Sequence, residues 1–427
     1  MKYHDDGELE RKLCEQVRAH LRTRVPARGL WSADEVGPVV EEALERMAPD
    51  HPRREALRGH ALEELVGLGP LDELLAAADV SEILVNGTSE IYVEIGGRLL
   101  RHERSFRDSG HLQAVLERLL ASSGRSISEK QPWAEGMLAD GSRFHLTVPP
   151  MAPRGPILTI RRFPVRWLTV EALTNDCGAM PTWLAELLQL AVQARTAILF
   201  TGAAGVGKTT LLNALAEAIP HEERVLTLET TAELRLDRPN WSSLECVRPA
   251  PDGTGGADLG ALLRNALRMR PDRILVGECL SAEAFDLLQL MNTGHGGCMT
   301  TLHANSPRDA LERLFTLCAA SRVAVPAESL WRQIAASIGL IVHLERFAGG
   351  ARRVAQVAAV HRTAGGGPEV RELARLENAA EPAGRPPRWS CSAGLGDLPP
   401  HWSRAVLEHA GRLLKLGGAA RTSELDG

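Results

Sequence analysis

Near the middle of the chain the residues Gly202-Ala203-Ala204-Gly205-Val206-Gly207-Lys208-Thr209 place a glycine, four further residues, a second glycine, a lysine and a hydroxyl in fixed order. That order suits phosphate binding. Gly205 lets the turn approach the phosphates closely, successive main-chain N–H groups make an anion nest, and a following helix aims its positive end at the same charge. Lys208 supplies a cation for the outer phosphates, and the Thr209 hydroxyl is placed to ligand Mg²⁺. Ala203, Ala204, Val206 and Thr210 complete the phosphate-binding stretch. A glycine-rich loop with an ordinary surface lysine is the alternative. Only five of the 49 basic residues are lysines, which argues against a chance placement.

Binding a phosphate chain is not hydrolysing it, so acids are the next requirement. The run RPDRILVGE (270–278) reads as an apolar strand ending in Glu278, at the carboxyl end where open sheets place their sites. A carboxylate there orients the attacking water or holds magnesium-bound water, unless it is merely solvated. In LETTAEL (228–234), Glu229 closes another apolar run and Glu233 follows four residues later, near enough for both to face one cleft. His303, at the end of MTTLH (299–303), has an imidazole that can donate to a terminal phosphate or serve only structure.

The elements that must position these residues follow from periodicity. From 196 onward, strand-like runs (TAILFT, RVLTLE, SSLECV, DRILVGE, GCMTTLH, GLIVHL and RVAQVAAV) alternate with helices that include 209–218, 258–268, 282–291 and 306–318. This alternation predicts an α/β layer fold around a sheet. Upstream, helical periodicity over 7–23, 33–47 and 53–67 gives a helical lead-in, 1–54. An α+β domain follows at 55–165, with strands in EILVN and EIYVEI, a helix at 111–122, and two further strands in MLADGSRFHLTVPP and GPILTIRRF. Residues 166–180 read as a linker and 181–361 as the phosphate-binding domain, opening with a helix over 181–193. The Gly/Pro/Ala-rich segment 362–427 reads as a loose tail with one amphipathic helix, 401–417.

A chain of 427 residues exceeds the usual single core, and its 44% hydrophobic content suffices for two. The formal charge of −5 gives no overall attraction to nucleic acid, so a direct nucleic-acid role is not expected. The start, MKYHDDGELERKL, lacks the basic and apolar regions of a signal peptide, and no apolar stretch matches a spanning helix. Seven unpatterned cysteines fit free thiols in a reducing compartment. A cytoplasmic protein is the expectation.

Taken in order, the phosphate turn, LETTAEL, RPDRILVGE and GHGGCMTTLHAN (294–305) resemble the Walker A, Asp box, Walker B and His box of the type II/type IV secretion ATPase family. The branch that looks most similar is the CpaF/TadA-like ATPases of tight-adherence (Flp) pilus systems. GLGPLDELL, VSEILVNG, IYVE, ADGSRF and PILTIRRF look like that family's N-terminal domain, so the resemblance spans about 60–361. It implies a RecA-like P-loop NTPase domain, ATP and Mg²⁺ as ligands, and a hexameric ring docked on an inner-membrane platform protein and driving pilus assembly. It makes Glu278 the Walker B glutamate, Glu229 and Glu233 the Asp-box acids, and His303 the His-box histidine. Arg143, Arg162 and Arg161 match arginines that reach nucleotide, with Arg264, Arg268 and Arg270 as further candidates. Closure of the N-terminal domain through 164–173 would bring such arginines to the phosphates. The chain departs from the pattern at Met137, Thr230, Leu280 and Gly296, each lacking a charge common in the family. Two alternatives stay open: a conjugative or effector-secretion ATPase, and a catalytically weakened nucleotide-binding ring scaffold.

Overall fold

The computed structural model describes residues 12–17, 19, 33–162, 168–247, 254–294, 296–321, 323–377, 388–391 and 394–419. The chain divides into two compact units, Met1–Val165 and Arg166–Gly427.

In the first unit, the helical run 12–17 and the helices α1 (Ala33–Met47) and α2 (Arg54–Val66) bury Leu13, Val17, Val40, Leu44, Ala61 and Leu65 in a small core of their own. Residue 19 is also helical, and the rest of the helix expected over 7–23 lies outside the described residues. A short helix α3 (Pro70–Ala76) precedes strands β1 (Val80–Asn86), β2 (Glu90–Ile95) and β3 (Arg98–Arg101), helix α4 (Ser109–Ser122), and strands β4 (Trp133–Met137), β5 (Arg143–Thr147) and β6 (Ile157–Arg161). The strands form one antiparallel sheet in the order β3-β2-β1-β6-β5-β4. Alternate residues such as Phe144, Leu146, Leu158 and Ile160 point to one face, where Leu112, Leu116 and Leu119 of α4 cover them. Asp108 caps α4 by accepting from the His111 N–H at 2.8 Å. The stretch MLADGSRFHLTVPP is not a single strand. It turns at 138–142, where Asp140 accepts from the Ser142 N–H and hydroxyl at 2.8 Å each, and so pairs β4 with β5.

The second unit begins with helices α5 (Val170–Asn175) and α6 (Thr182–Gln193) and then alternates: β7 (Ile198–Thr201), α7 (Lys208–Ala216), β8 (Val225–Glu229), β9 (Trp241–Glu245), α8 (Leu259–Ala266), β10 (Arg273–Val276), α9 (Glu283–Asn292), β11 (Met299–Leu302), α10 (Pro307–Ala319), α11 (Ala327–Ser337) and β12 (Leu340–Arg346). Three antiparallel strands follow, β13 (Arg352–Arg362), β14 (Pro368–Leu376) and β15 (Trp389–Ser390), and then helix α12 (Arg404–Ala419). The sheet runs β15-β14-β13-β12-β7-β11-β10-β8-β9, with β12 through β9 parallel. Both of its faces are covered. Ile198 and Phe200 meet α6 and α7, whereas Leu199, Ile274 and Val276 meet the layer built from α8 to α11. This explains why β7, β8, β10 and β11 are buried at every residue and do not alternate between an apolar and a polar face.

Two expectations fail here. The stretch expected to be a linker contains α5, whose Leu173 is buried in the second unit's core. Residues 166–167 of that stretch, and 164–167 of the expected hinge, lie outside the described residues. The segment 362–427 is not a loose tail: β14 extends the sheet, and Trp389, Leu398, Trp402, Ala410, Leu413 and Leu414 bury into the core beside α6. Few but large apolar side chains do this, which is why the average composition misleads. The expected amphipathic helix is present as α12.

Candidate active site

Sheet order sets the site. At the carboxyl edge of neighbouring strands stand, in sequence, the turn after β7, His303 after β11, Glu278 after β10 and Glu229 at the end of β8. Four separate segments thus reach one row, where parallel sheets place ligands.

Residues 202–207 form a tight turn into α7, with Gly207 left-handed (φ 94°) at the helix start. At Gly202 (φ 141°) an added Cβ would come within 2.3 Å of the Leu344 carbonyl oxygen, so only glycine fits against β12. Lys208 is only 7% exposed. Its Nζ donates to the Gly202 and Ala203 carbonyls at 3.1 and 2.7 Å and lies 3.4 Å from His303 Nδ1. An ammonium can only donate, so Nδ1 accepts and the His303 proton sits on Nε2. Ala203 and Ala204 are exposed, Gly205 and Val206 complete the turn, and Thr209 and Thr210 are half-buried on the first turn of α7. A turn bare of bulky side chains, a lysine at its centre and a hydroxyl at the helix start fit a phosphate chain with its divalent cation.

Glu278 is half-buried on a main chain pinned from both sides. Gly277 N–H donates to Leu228 O at 3.0 Å, Cys279 N–H to Thr301 O at 3.0 Å, and the Thr301 hydroxyl to Gly277 O at 2.7 Å. Glu229 is different in kind. It is 2% exposed, and its Oε1 accepts from the Glu233 and Leu234 N–H groups at 2.9 and 3.0 Å. Burial pushes its carboxyl up to about 8, with Glu233 and Glu245 adding to the rise against those two donors, so it is protonated at neutral pH. Gly277 leaves room for it: a Cβ there would sit 2.9 Å from Glu229 Cγ.

Glu229 therefore shapes the turn that carries Glu233. After that turn, Leu234 and Leu236 enter the same core as Leu211 and Leu212 of α7, and Arg235 N–H donates to Asn213 Oδ1 at 2.9 Å. The segment after β8 thus crosses back to the phosphate-side helix with half-buried Glu233 at its start.

Arg143 and Arg162 lie in the first unit, where Arg143 faces Arg161 across β5 and β6. The Arg162 guanidinium donates to the Ala77 carbonyl and, at 3.2 Å, to that of Val80, while Arg161 lies 3.7 Å from Glu82. Arg264 is tied to Asp286 at 2.7 Å, and Arg268 and Arg270 are exposed. Leu280 and Met137 are 47% and 46% exposed, so neither uncharged replacement is taken up by a core.

The sequence profile of the type II/IV secretion system protein family matches residues 64–373. The chain belongs to this family. Among its relatives, a Mycobacterium tuberculosis protein named for conjugal transfer is 35% identical over 308 residues, covering 71% of this chain and 87% of the relative. The type IV secretion system protein PtlH of Bordetella pertussis is 36% identical over 311 residues, covering 67% and 91%. Among solved structures, the pilus retraction motor PilT with bound ADP superimposes with a TM-score of 0.51 at 20% identity, covering 70% of this chain and 83% of that one. The fold is thus the RecA-like P-loop α/β fold expected from the sequence.

Polar positions that the sequence reading passed over are Thr201, Asn213 and His343. A histidine inside the apolar run GLIVHL was the available signal for the last of these.

Proposed function

We propose that the protein is an ATP hydrolase that powers a type II/IV secretion or pilus machine, working as a homohexameric ring on an inner-membrane platform protein. The observation that carries this reading is the placement of Lys208 between the Gly202 and Ala203 carbonyls and His303, with Glu278 on the next strand end. Nest N–H groups and Lys208 hold the triphosphate, and Lys208 neutralises charge that develops on the transferred phosphoryl group. His303 offers its Nε2–H towards that group, Glu278 orients the attacking water, and Glu229 sets the turn from which Glu233 faces the cleft. Magnesium bound with the nucleotide would be held by Thr209 and Glu278 and would supply further neutralisation of phosphate charge. Arg143 and Arg162 are proposed as donors to the bound nucleotide, which requires Arg162 to leave its carbonyl partners.

Cytoplasmic placement at the membrane through a partner is part of the same proposal. Among the described residues no helix is long and apolar enough to cross a membrane. Pilus assembly of the CpaF/TadA kind rests on the motif resemblance. The relatives named for conjugal transfer and type IV secretion favour a second reading, transfer of a conjugative or effector substrate. Neighbouring genes for pilin and prepilin peptidase, or for a conjugation channel, separate the two.

The test is ATP hydrolysis by the purified chain with and without magnesium. Lys208→Ala should lower the rate by about 100-fold or more. Equal hydrolysis by the wild type and that variant refutes the assignment. Tight ATP binding without turnover by the wild type, even with the platform protein present, favours the scaffold reading, towards which the uncharged Thr230 and Leu280 point.

A further inference from the structure

Strand β7 lies between β11 and β12, and a histidine approaches its carboxyl end from each side. His303, after β11, meets Lys208 and belongs to the site already described. His343, on β12, has no part in that site so far. It is 4% exposed and pairs in register with Thr201, the last residue of β7 before Gly202. Its Nδ1 lies 2.9 Å from Thr201 Oγ1, and its Nε2 lies 3.5 Å from Glu345 Oε1. The β12–β13 pairing slips between His343 and Leu344, and the Leu344 carbonyl is the group against which Gly202 packs. Irregular pairing of this kind re-aims side chains and main chain beside sites.

We propose that His343 is a positioning residue for nucleotide binding, fixing the start of the phosphate turn through its hydrogen bond to the Thr201 hydroxyl. The bond is buried, so nothing in solvent replaces it when one partner is lost. The Nε2–H faces Glu345, which leaves Nδ1 to accept from the Thr201 O–H and anchors the residue at which the chain leaves the sheet. From there the chain passes to the Gly202 and Ala203 carbonyls that hold Lys208. The charged groups facing His343 are Glu345 on its own strand, Lys208 from α7 and Asp309 from α10. Burial holds the imidazole below its ordinary range, so the ring that grips Thr201 is neutral at neutral pH.

The proposal rests on the ATP-binding reading and is tested separately from it. Binding of a fluorescent ATP analogue with magnesium is measured for the full chain, together with the thermal unfolding midpoint. Thr201→Val and His343→Ala should each weaken binding by about tenfold, and the double variant should bind no worse than the weaker single. Thr201→Ser and His343→Asn, which keep a polar atom at the contact, should return binding to within about threefold of wild type. Additive losses, unchanged binding in both single variants, or a His343→Asn variant as weak as His343→Ala would overturn the proposal. If His343→Ala does not fold, the Thr201→Val and Thr201→Ser pair decides by itself. A wild-type chain that fails to bind the analogue refutes the ATP-binding reading instead.

Discussion

Replacing Glu229 by Gln should make the protein more stable at alkaline pH, by an amount that grows across a defined window. The carboxyl ionises at its ordinary value of 4.5 in the unfolded chain and at about 8 when folded. Below about 4.5 both states hold the proton, and the group's stabilising share is complete. Between these limits the unfolded chain releases its proton and the folded chain does not, so stability falls as pH rises and is fully lost above about 8. At roughly 1.36 kcal/mol per pH unit the whole window corresponds to about 5 kcal/mol. Gln does not titrate, and its amide oxygen can still accept from the Glu233 and Leu234 N–H groups now bound at 2.9 and 3.0 Å. Urea unfolding of wild type and Glu229→Gln at pH 5, 6.5, 8 and 9 gives the difference directly. The variant's relative stability should climb by several kcal/mol between the first and third conditions and level off by the last. A difference that stays constant with pH refutes the buried, protonated carboxyl.

Two other substitutions probe the supports of the site. Gly277→Ala should lower stability by about 1–3 kcal/mol, because its methyl would meet a Glu229 side chain held by the Glu233 and Leu234 N–H groups. Thermal melts of Gly277→Ala alone and in a Glu229→Ala background check the cause, since most of the loss should vanish in the second. Trp402→Phe removes the indole N–H that donates to Thr196 Oγ1 at 2.7 Å and should destabilise the second unit by about 1–2 kcal/mol. Combined with Thr196→Val, it should show strong non-additivity by denaturant unfolding.

The phosphate turn was legible because its function depends on local chemistry: glycines where a side chain cannot fit, then a lysine and a hydroxyl at a helix start. The parallel strands were legible because burial on both faces writes itself as apolar runs. The order of those strand ends was not, since nothing in LETTAEL or RPDRILVGE says which strand is neighbour to which. Likewise Glu229 and Glu233 look equivalent in the sequence, yet the fold buries and neutralises the first and leaves the second at the opening of a crossing segment. Strand β14 escaped notice because only the two-residue β15 pairs with it on its outer side, at Arg375 and Leu376, which leaves PEVRELARL able to keep charged residues through its length. Helix α11 was passed over in a stretch read only for its strands. The pairing of Thr201 with His343 spans 142 residues, a distance over which sequence spacing carries no information.

The four-residue strand β7 is tied at its start to Trp402 and His401 through Thr196, and at its end to His343 through Thr201. Every residue of the nucleotide edge is translated before residue 310, but the anchors of the strand that bears the cradle come later, one of them 206 residues after its partner. On the ribosome, the second unit therefore cannot lock into its final form until the segment around Trp402 has cleared the exit tunnel. Nascent chains arrested before that point should remain protease-sensitive in the α6–β7 region, and those arrested well beyond it should not.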